Sequence, residues 1–146
     1  MLKQYLTEDL IRLKVPADDW EAAVRAGGVL LQEAGKCSSD YIEAMVRTVR
    51  ELGAYMVLAP GLALAHARPE EGVYALGLSL ITLKTPVEFG SKANDPVAVV
   101  ISFCATDHES HVDLLKALAK FLRVDENQTL LKTATGINQI LDAFDD

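Results

Sequence analysis

The spacing of apolar residues along this chain changes twice, from helical to extended and back to helical. A first helix opens at Asp18, with Glu21 three residues on as a start signal, and runs to about Ala34, where Gly35 stops it. Gly27-Gly28 inside it marks a place for the helix to bend or split. A second helix follows a cap at Ser38 or Ser39. Its apolar positions Ile42, Met45, Val46, Val49 and Leu52 keep helical spacing, and Gly53 ends it. The middle of the chain then reads as strands. Tyr55 to Ala59 is one, Pro60-Gly61 a turn, and Leu62 to His66 a second extended piece. Gly72 to Leu83 follows, with Leu76, Leu78 and Leu80 on one face. Pro86 and Gly90 bracket a loop, and the apolar run Val97 to Ala105 suits a central strand. Thr106 and Glu109 then read as a capping box for a helix carrying Leu114, Leu115, Leu118, Phe121 and Leu122. Two shorter helices, about 126–133 and 136–143, close the pattern. Helices, strands and helices in that order predict a mixed sheet with helices packed on it, an α/β fold within one domain spanning 1–146.

Composition narrows the function. Fourteen basic against 21 acidic residues leave a net charge of −7, with no dense basic patch to hold a nucleic-acid backbone or an anionic lipid surface. No run approaches 18 consecutive apolar residues, so a membrane-spanning helix is excluded. The opening Met-Leu-Lys-Gln-Tyr lacks the apolar core of a signal peptide, which predicts a cytosolic chain. Cys37 and Cys104, 67 positions apart and in no CxxC or Cys/His ladder, suggest neither a zinc cage nor a redox pair. Cys104 reads as a small buried hydrophobe and Cys37 as a residue of the loop before the second helix.

The chemistry centres on three histidines. His66 closes a strand-like segment of small and aliphatic residues and is followed at once by Arg68-Pro69. A histidine there is held at a fixed angle and partly exposed, as a nucleophile or phosphate carrier requires. The bland alternative, an edge-strand histidine with no task, stays open at this point. His111 shares a helical stripe with Leu114, Leu115, Leu118 and Leu122, so it points toward the core near a helix start, where the dipole favours an anion. The rival reading is a core histidine whose ring nitrogen bonds a carbonyl. His108 makes an HxxH with it, but no third ligand follows at helical spacing and no metal is expected. Arg50 lies in the last turn of the second helix, where the dipole alone explains it, and its neighbour Arg47 reads as the more plainly solvent-facing of the two. Trp20 reads as core. No GxSxG, GK[ST] phosphate loop or GxGxxG is present, and the carboxylates of Asp107, Glu109 and Asp113 read as capping charges.

The run from Arg50 to Pro69, with Ala59-Pro60-Gly61 and His66-Ala67-Arg68-Pro69 inside it, resembles the active-site region of the EIIA domain of the sugar phosphotransferase system, in its mannitol/fructose-type branch. A second block, His111-Val112-Asp113-Leu114-Leu115-Lys116-Ala117-Leu118-Ala119, resembles the same family's later motif, in the right order and at a spacing of 45 residues. The likeness covers essentially the whole chain and is strongest to the ascorbate-specific members. It implies a three-layer α/β/α sandwich around a mixed sheet. It also implies that His66 is the phosphorylated histidine, His111 the second active-site histidine and Arg50 the phosphate-binding arginine, with no cofactor and no metal. The implied partners are the histidine phosphocarrier HPr and an EIIB cysteine on a separate chain, with membrane EIIC reached indirectly; a homodimer is compatible. One departure stands out: Ala65 occupies a place where the family often has proline, which loosens the approach to His66 without removing a reacting group. The small residues Ala63, Ala65 and Ala67 predict a shallow site open to partner proteins. The rival functions are an EIIA-like module that docks on a transporter or transcription factor, and a histidine-metal hydrolase.

Overall fold

The computed structural model describes residues 2–144 of the 146. Among the described residues five strands form one mixed sheet: β1 (Ile11–Val15), β2 (Val57–Ala59), β3 (Leu62–Ala65), β4 (Gly77–Val87) and β5 (Val97–Cys104), in the order β1-β4-β5-β3-β2. β1 runs parallel to β4 and β3 parallel to β5, whereas β4–β5 and β2–β3 are antiparallel. Among the described residues the α-helices are α1 (Trp20–Glu33), α2 (Ser39–Leu52), α3 (His108–Leu122), α4 (Asp125–Thr133) and α5 (Ile137–Ala143). β5 is paired on both edges and covered on both faces, and for that reason seven of its eight residues are fully buried and its sequence is almost continuously apolar.

The two faces separate at the end of β5. Ser79 and Ser102 sit opposite each other in register and face α1, where Ser79 Oγ donates to the Gly27 carbonyl at 2.9 Å. Phe103, the next residue, faces the other side, against α3. Helices α4 and α5 continue that second layer, packing against β5 and β1, and the expected three-layer α/β/α sandwich is the observed one.

The glycine pair explains itself by proximity. A Cβ on Gly27 would lie 2.6 Å from Ser102 Oγ, and one on Gly28 would lie 2.9 Å from both Ile42 Cγ1 and Met45 Cε. The two glycines let α1 press on the sheet and on α2, and the helix runs through them without a break.

Several boundaries differ from the sequence reading, each for a local reason. Asp19, not Asp18, caps α1 by accepting from Ala22 N at 2.9 Å. Asp107, not the Thr106/Glu109 box, caps α3 by accepting from Ser110 N at 2.7 Å; a carboxylate accepts more strongly than a hydroxyl. Gly53, at φ 58°, turns the chain into a short 3-10 helix (Gly53–Met56), so the strand expected from Tyr55 starts only at Val57. Gly72, at φ 109°, and the hydrogen bonds from Tyr74 N and Ala75 N to the Lys36 carbonyl hold 72–76 out of the sheet. β4 therefore begins at Gly77 and runs past Pro86, which sits where the pairing with β5 shifts register and no ladder N–H is required. β1 has no counterpart in the sequence reading. It is an edge strand of five residues with buried ends and exposed Arg12 and Lys14 on either side of half-buried Leu13, too short and mixed to stand out.

Candidate functional site

His66 follows β3 directly. The parallel pairing of β3 with β5 puts Ala65 beside Ser102 and so sets the next residue against Phe103. The His66 ring stacks on Phe103 with centroids 4.8 Å apart and planes at 21°. Its Nδ1 lies 3.2 Å from the carbonyl of Leu64. A carbonyl only accepts, so Nδ1 carries the proton and Nε2 keeps the lone pair. Burial pushes the His66 pKa down to about 4, helped by His111 and opposed by the Leu64 hydrogen bond. The ring is accordingly neutral at neutral pH, with one nucleophilic nitrogen already selected.

His111 projects from the second turn of α3, and its ring centroid stands 5.2 Å from those of His66 and Phe103. Its Nδ1 is enclosed without a hydrogen-bond partner among the described residues, so Nε2 is the nitrogen left for an incoming group. The carbonyl bond that a purely structural core histidine would make is absent among those residues. Burial lowers the His111 pKa, with a smaller push from His108. The two histidines, 45 positions apart in the chain, form one cluster.

The residue between His66 and Arg68 is tied down by Tyr41, whose hydroxyl accepts from Ala67 N at 2.9 Å and donates to the Phe103 carbonyl at 2.8 Å. This buried hydroxyl straps the chain leaving His66 to the end of β5, and nothing in the sequence singled it out. A cleft of about 700 Å³ opens in front of His66. One wall is the stripe Ala44, Arg47, Thr48, Glu51 and Leu52 of α2; residues 66–71 form the floor, and His108 and His111 close the far side. Of the three small residues expected to shape the site, Ala67 lines the cleft while Ala63 and Ala65 lie buried in the sheet.

The structure does not bring Arg50 to the histidines. Its Nη2 bonds Glu21 Oε1 at 2.8 Å, and its guanidinium lies 5.8 Å from the Trp20 ring centroid, on the α1 side of α2 and outside the cleft. Residues 44, 47, 48 and 51 share one stripe, and at 100° per residue Arg50 stands roughly 120° from its centre. Arg47, read from the sequence as the more solvent-facing arginine, is the one on the cleft wall. Trp20 is half-buried against Phe89 and carries Arg50 on its face rather than lying deep in the core. Cys37 and Cys104, distant in sequence, are both buried, and Cys104 Sγ donates to the Ala75 carbonyl at 3.4 Å.

Residues 4–146 match the family model of the phosphoenolpyruvate-dependent sugar phosphotransferase system, EIIA 2. The chain belongs to that family. The ascorbate-specific phosphotransferase EIIA component of Escherichia coli K12 is 38% identical over 136 residues, 92% of this chain and 88% of that one. The solution structure of the mannitol-specific cryptic phosphotransferase enzyme IIA CmtB from Escherichia coli superposes with a TM-score of 0.88 at 34% identity, covering 97% of this chain and 96% of that one. The complex of enzyme IIA for mannitol with phosphorylated enzyme IIB from Escherichia coli shares the fold, with a TM-score of 0.83 at 23% identity over 94% of each chain. This EIIA protein is thus a phosphotransferase of the sugar phosphotransferase system, relaying phosphoryl groups. No helix among its described residues is long and apolar enough to cross a membrane.

Proposed function

We propose that this EIIA chain takes a phosphoryl group on His66 Nε2 from the histidine phosphocarrier HPr and hands it to the cysteine of an EIIB partner. The observation that carries the reading is the state of His66: neutral, its Nδ1–H held by the Leu64 carbonyl, its Nε2 beside His111 at an open cleft. A new N–P bond forms at Nε2 while the donor's N–P bond breaks, and the donor ring leaves with the electron pair. No proton has to move at His66. The Leu64 carbonyl instead meets the positive charge that spreads over the ring as the bond forms. In the second step the EIIB thiolate attacks the same phosphorus and His66 departs neutral. Positioning and charge neutralisation carry both steps. His111 donates from Nε2 to a phosphoryl oxygen. Arg50, expected from the resemblance to grip those oxygens, is engaged with Glu21, and the reading goes forward without it.

The EIIB partner is supported by the enzyme IIA–enzyme IIB complex that shares this fold, and ascorbate as the transported sugar by the ascorbate-specific relatives. The mannitol-type likeness is the rival for the sugar. Intact mass after incubation with phosphoenolpyruvate, Enzyme I and HPr tests the acceptor. One acid-labile phosphoryl adduct is expected, absent from His66→Ala. Labelling that survives His66→Ala overturns the assignment, and no adduct on the folded wild type favours a docking module. Transfer from the labelled protein to EIIB proteins of the ascorbate and mannitol systems, run side by side, decides the sugar.

A further inference from the structure

A phosphoryl group entering this cleft brings about two negative charges to a space already lined by Glu51, Glu70 and Glu71. The cations facing it are Arg47 and Arg68. Arg47 is partly committed, with Nη2 3.4 Å from Glu71 Oε2. Arg68 is exposed and has no ion-pair partner among the described residues. Its backbone is extended, at φ −72° and ψ 147°, and two residues after His66 it lines the same cleft. The residue between them is the one Tyr41 pins to β5, which fixes the relation of Arg68 to His66. Arg50, by contrast, is held by Glu21 and Trp20 on the far edge of α2.

We infer that Arg68, assisted by Arg47 from the facing wall, is the guanidinium that grips the phosphoryl oxygens during transfer and on phosphorylated His66. The inference rests on the assignment of His66 as acceptor and gives the phosphate-binding role to residues other than Arg50. The planar fork of Arg68 matches two equatorial oxygens at once, which a lysine ammonium does not. It neutralises charge that is concentrated on those oxygens as the old bond loosens. Arg47 gains a stronger partner than Glu71 when the phosphoryl group arrives, so its present pair is a resting contact.

The test uses the full chain with phosphoenolpyruvate, Enzyme I and HPr, following the rate of adduct formation and the 31P titration of the phosphohistidine. Arg68→Ala is expected to slow labelling by on the order of 100-fold while the same end point is reached and the thermal melt is unchanged. The phosphoryl group's second ionisation should move to higher pH in Arg68→Ala, because a neighbouring cation favours the dianion. Arg68→Lys should restore part of the rate, and Arg47→Ala should slow it by about tenfold. A wild-type-like rate and 31P titration in Arg68→Ala overturn the inference and leave the acceptor assignment standing. So does an Arg50→Ala variant that loses more than Arg68→Ala. A wild-type protein that takes no phosphoryl group on His66 removes both.

Discussion

The two edges of α2 carry arginines three residues apart and put them to different uses. On the α1 side, Arg50 bonds Glu21 and lies over Trp20, while Arg25 bridges Glu21 at 3.1 Å and Glu43 at 2.5 Å. There the charges are matched within the protein and close the seam between two helices. On the cleft side, Arg47 is held loosely by Glu71 and Arg68 by no ion-pair partner among the described residues, and both face a space large enough for a phosphoryl group and the residue that delivers it. A cation that is already paired holds structure, and one left facing a cleft is available to a ligand. Helical phase decides which is which: about 60° of rotation separates positions 47 and 50, and that is enough to change the neighbour from α1 to the cleft.

The largest expected effect tests the cleft side through pH. The folded His66 pKa of about 4 lies below the ordinary 6.5, so the unfolded chain binds the proton more readily between those values. Stability contributed by the neutral ring is therefore complete above pH 6.5 and lost as pH falls toward 4, by up to roughly 3 kcal/mol. Urea melts of wild type and His66→Gln across that window measure it, and coinciding slopes would remove the claim. Next comes Tyr41→Phe, which strands the Ala67 N–H and the Phe103 carbonyl in a buried place. It should cost about 2 kcal/mol and slow labelling as His66 and Arg68 lose their shared anchor. Unchanged labelling at reduced stability would confine Tyr41 to the fold. On the other edge, Gly28→Ala drives a methyl into Ile42, whose branched side chain turns stiffly, and should cost about 1–2 kcal/mol in a denaturant melt without touching transfer. The smallest effect belongs to Arg50→Ala. Loss of one exposed ion pair and a cation–π contact should lower stability by about 0.5–1 kcal/mol and leave the labelling rate within twofold of wild type. A large rate loss there would erase the distinction between the edges.

What the chain announced on its own was periodic or chemical. The stripe of Ile42, Met45, Val46 and Val49 is enough to place α2, and the apolar run from Val97 is enough to place the central strand, because burial on one or both faces writes itself into the spacing. His66 and His111 were legible as types at element ends, and the resemblance joined them. Tertiary structure alone decided what depends on neighbours distant in sequence. The strand after Leu52 was shortened by the left-handed turn at Gly53, and the strand expected from Gly72 was displaced by hydrogen bonds to Lys36. Gly27 and Gly28, a defect by helix propensity, became the place where Ser102, Ile42 and Met45 come close. The neutral state of His66 required Phe103 and His111 around it, and the partition of the arginines required α1 on one side of α2 and a cleft on the other. A side chain's type is local, whereas its charge state and its partner are set by what the fold packs against it. For that reason His66 could be proposed as the acceptor from the chain, and Arg68 as its cation only from the packed molecule.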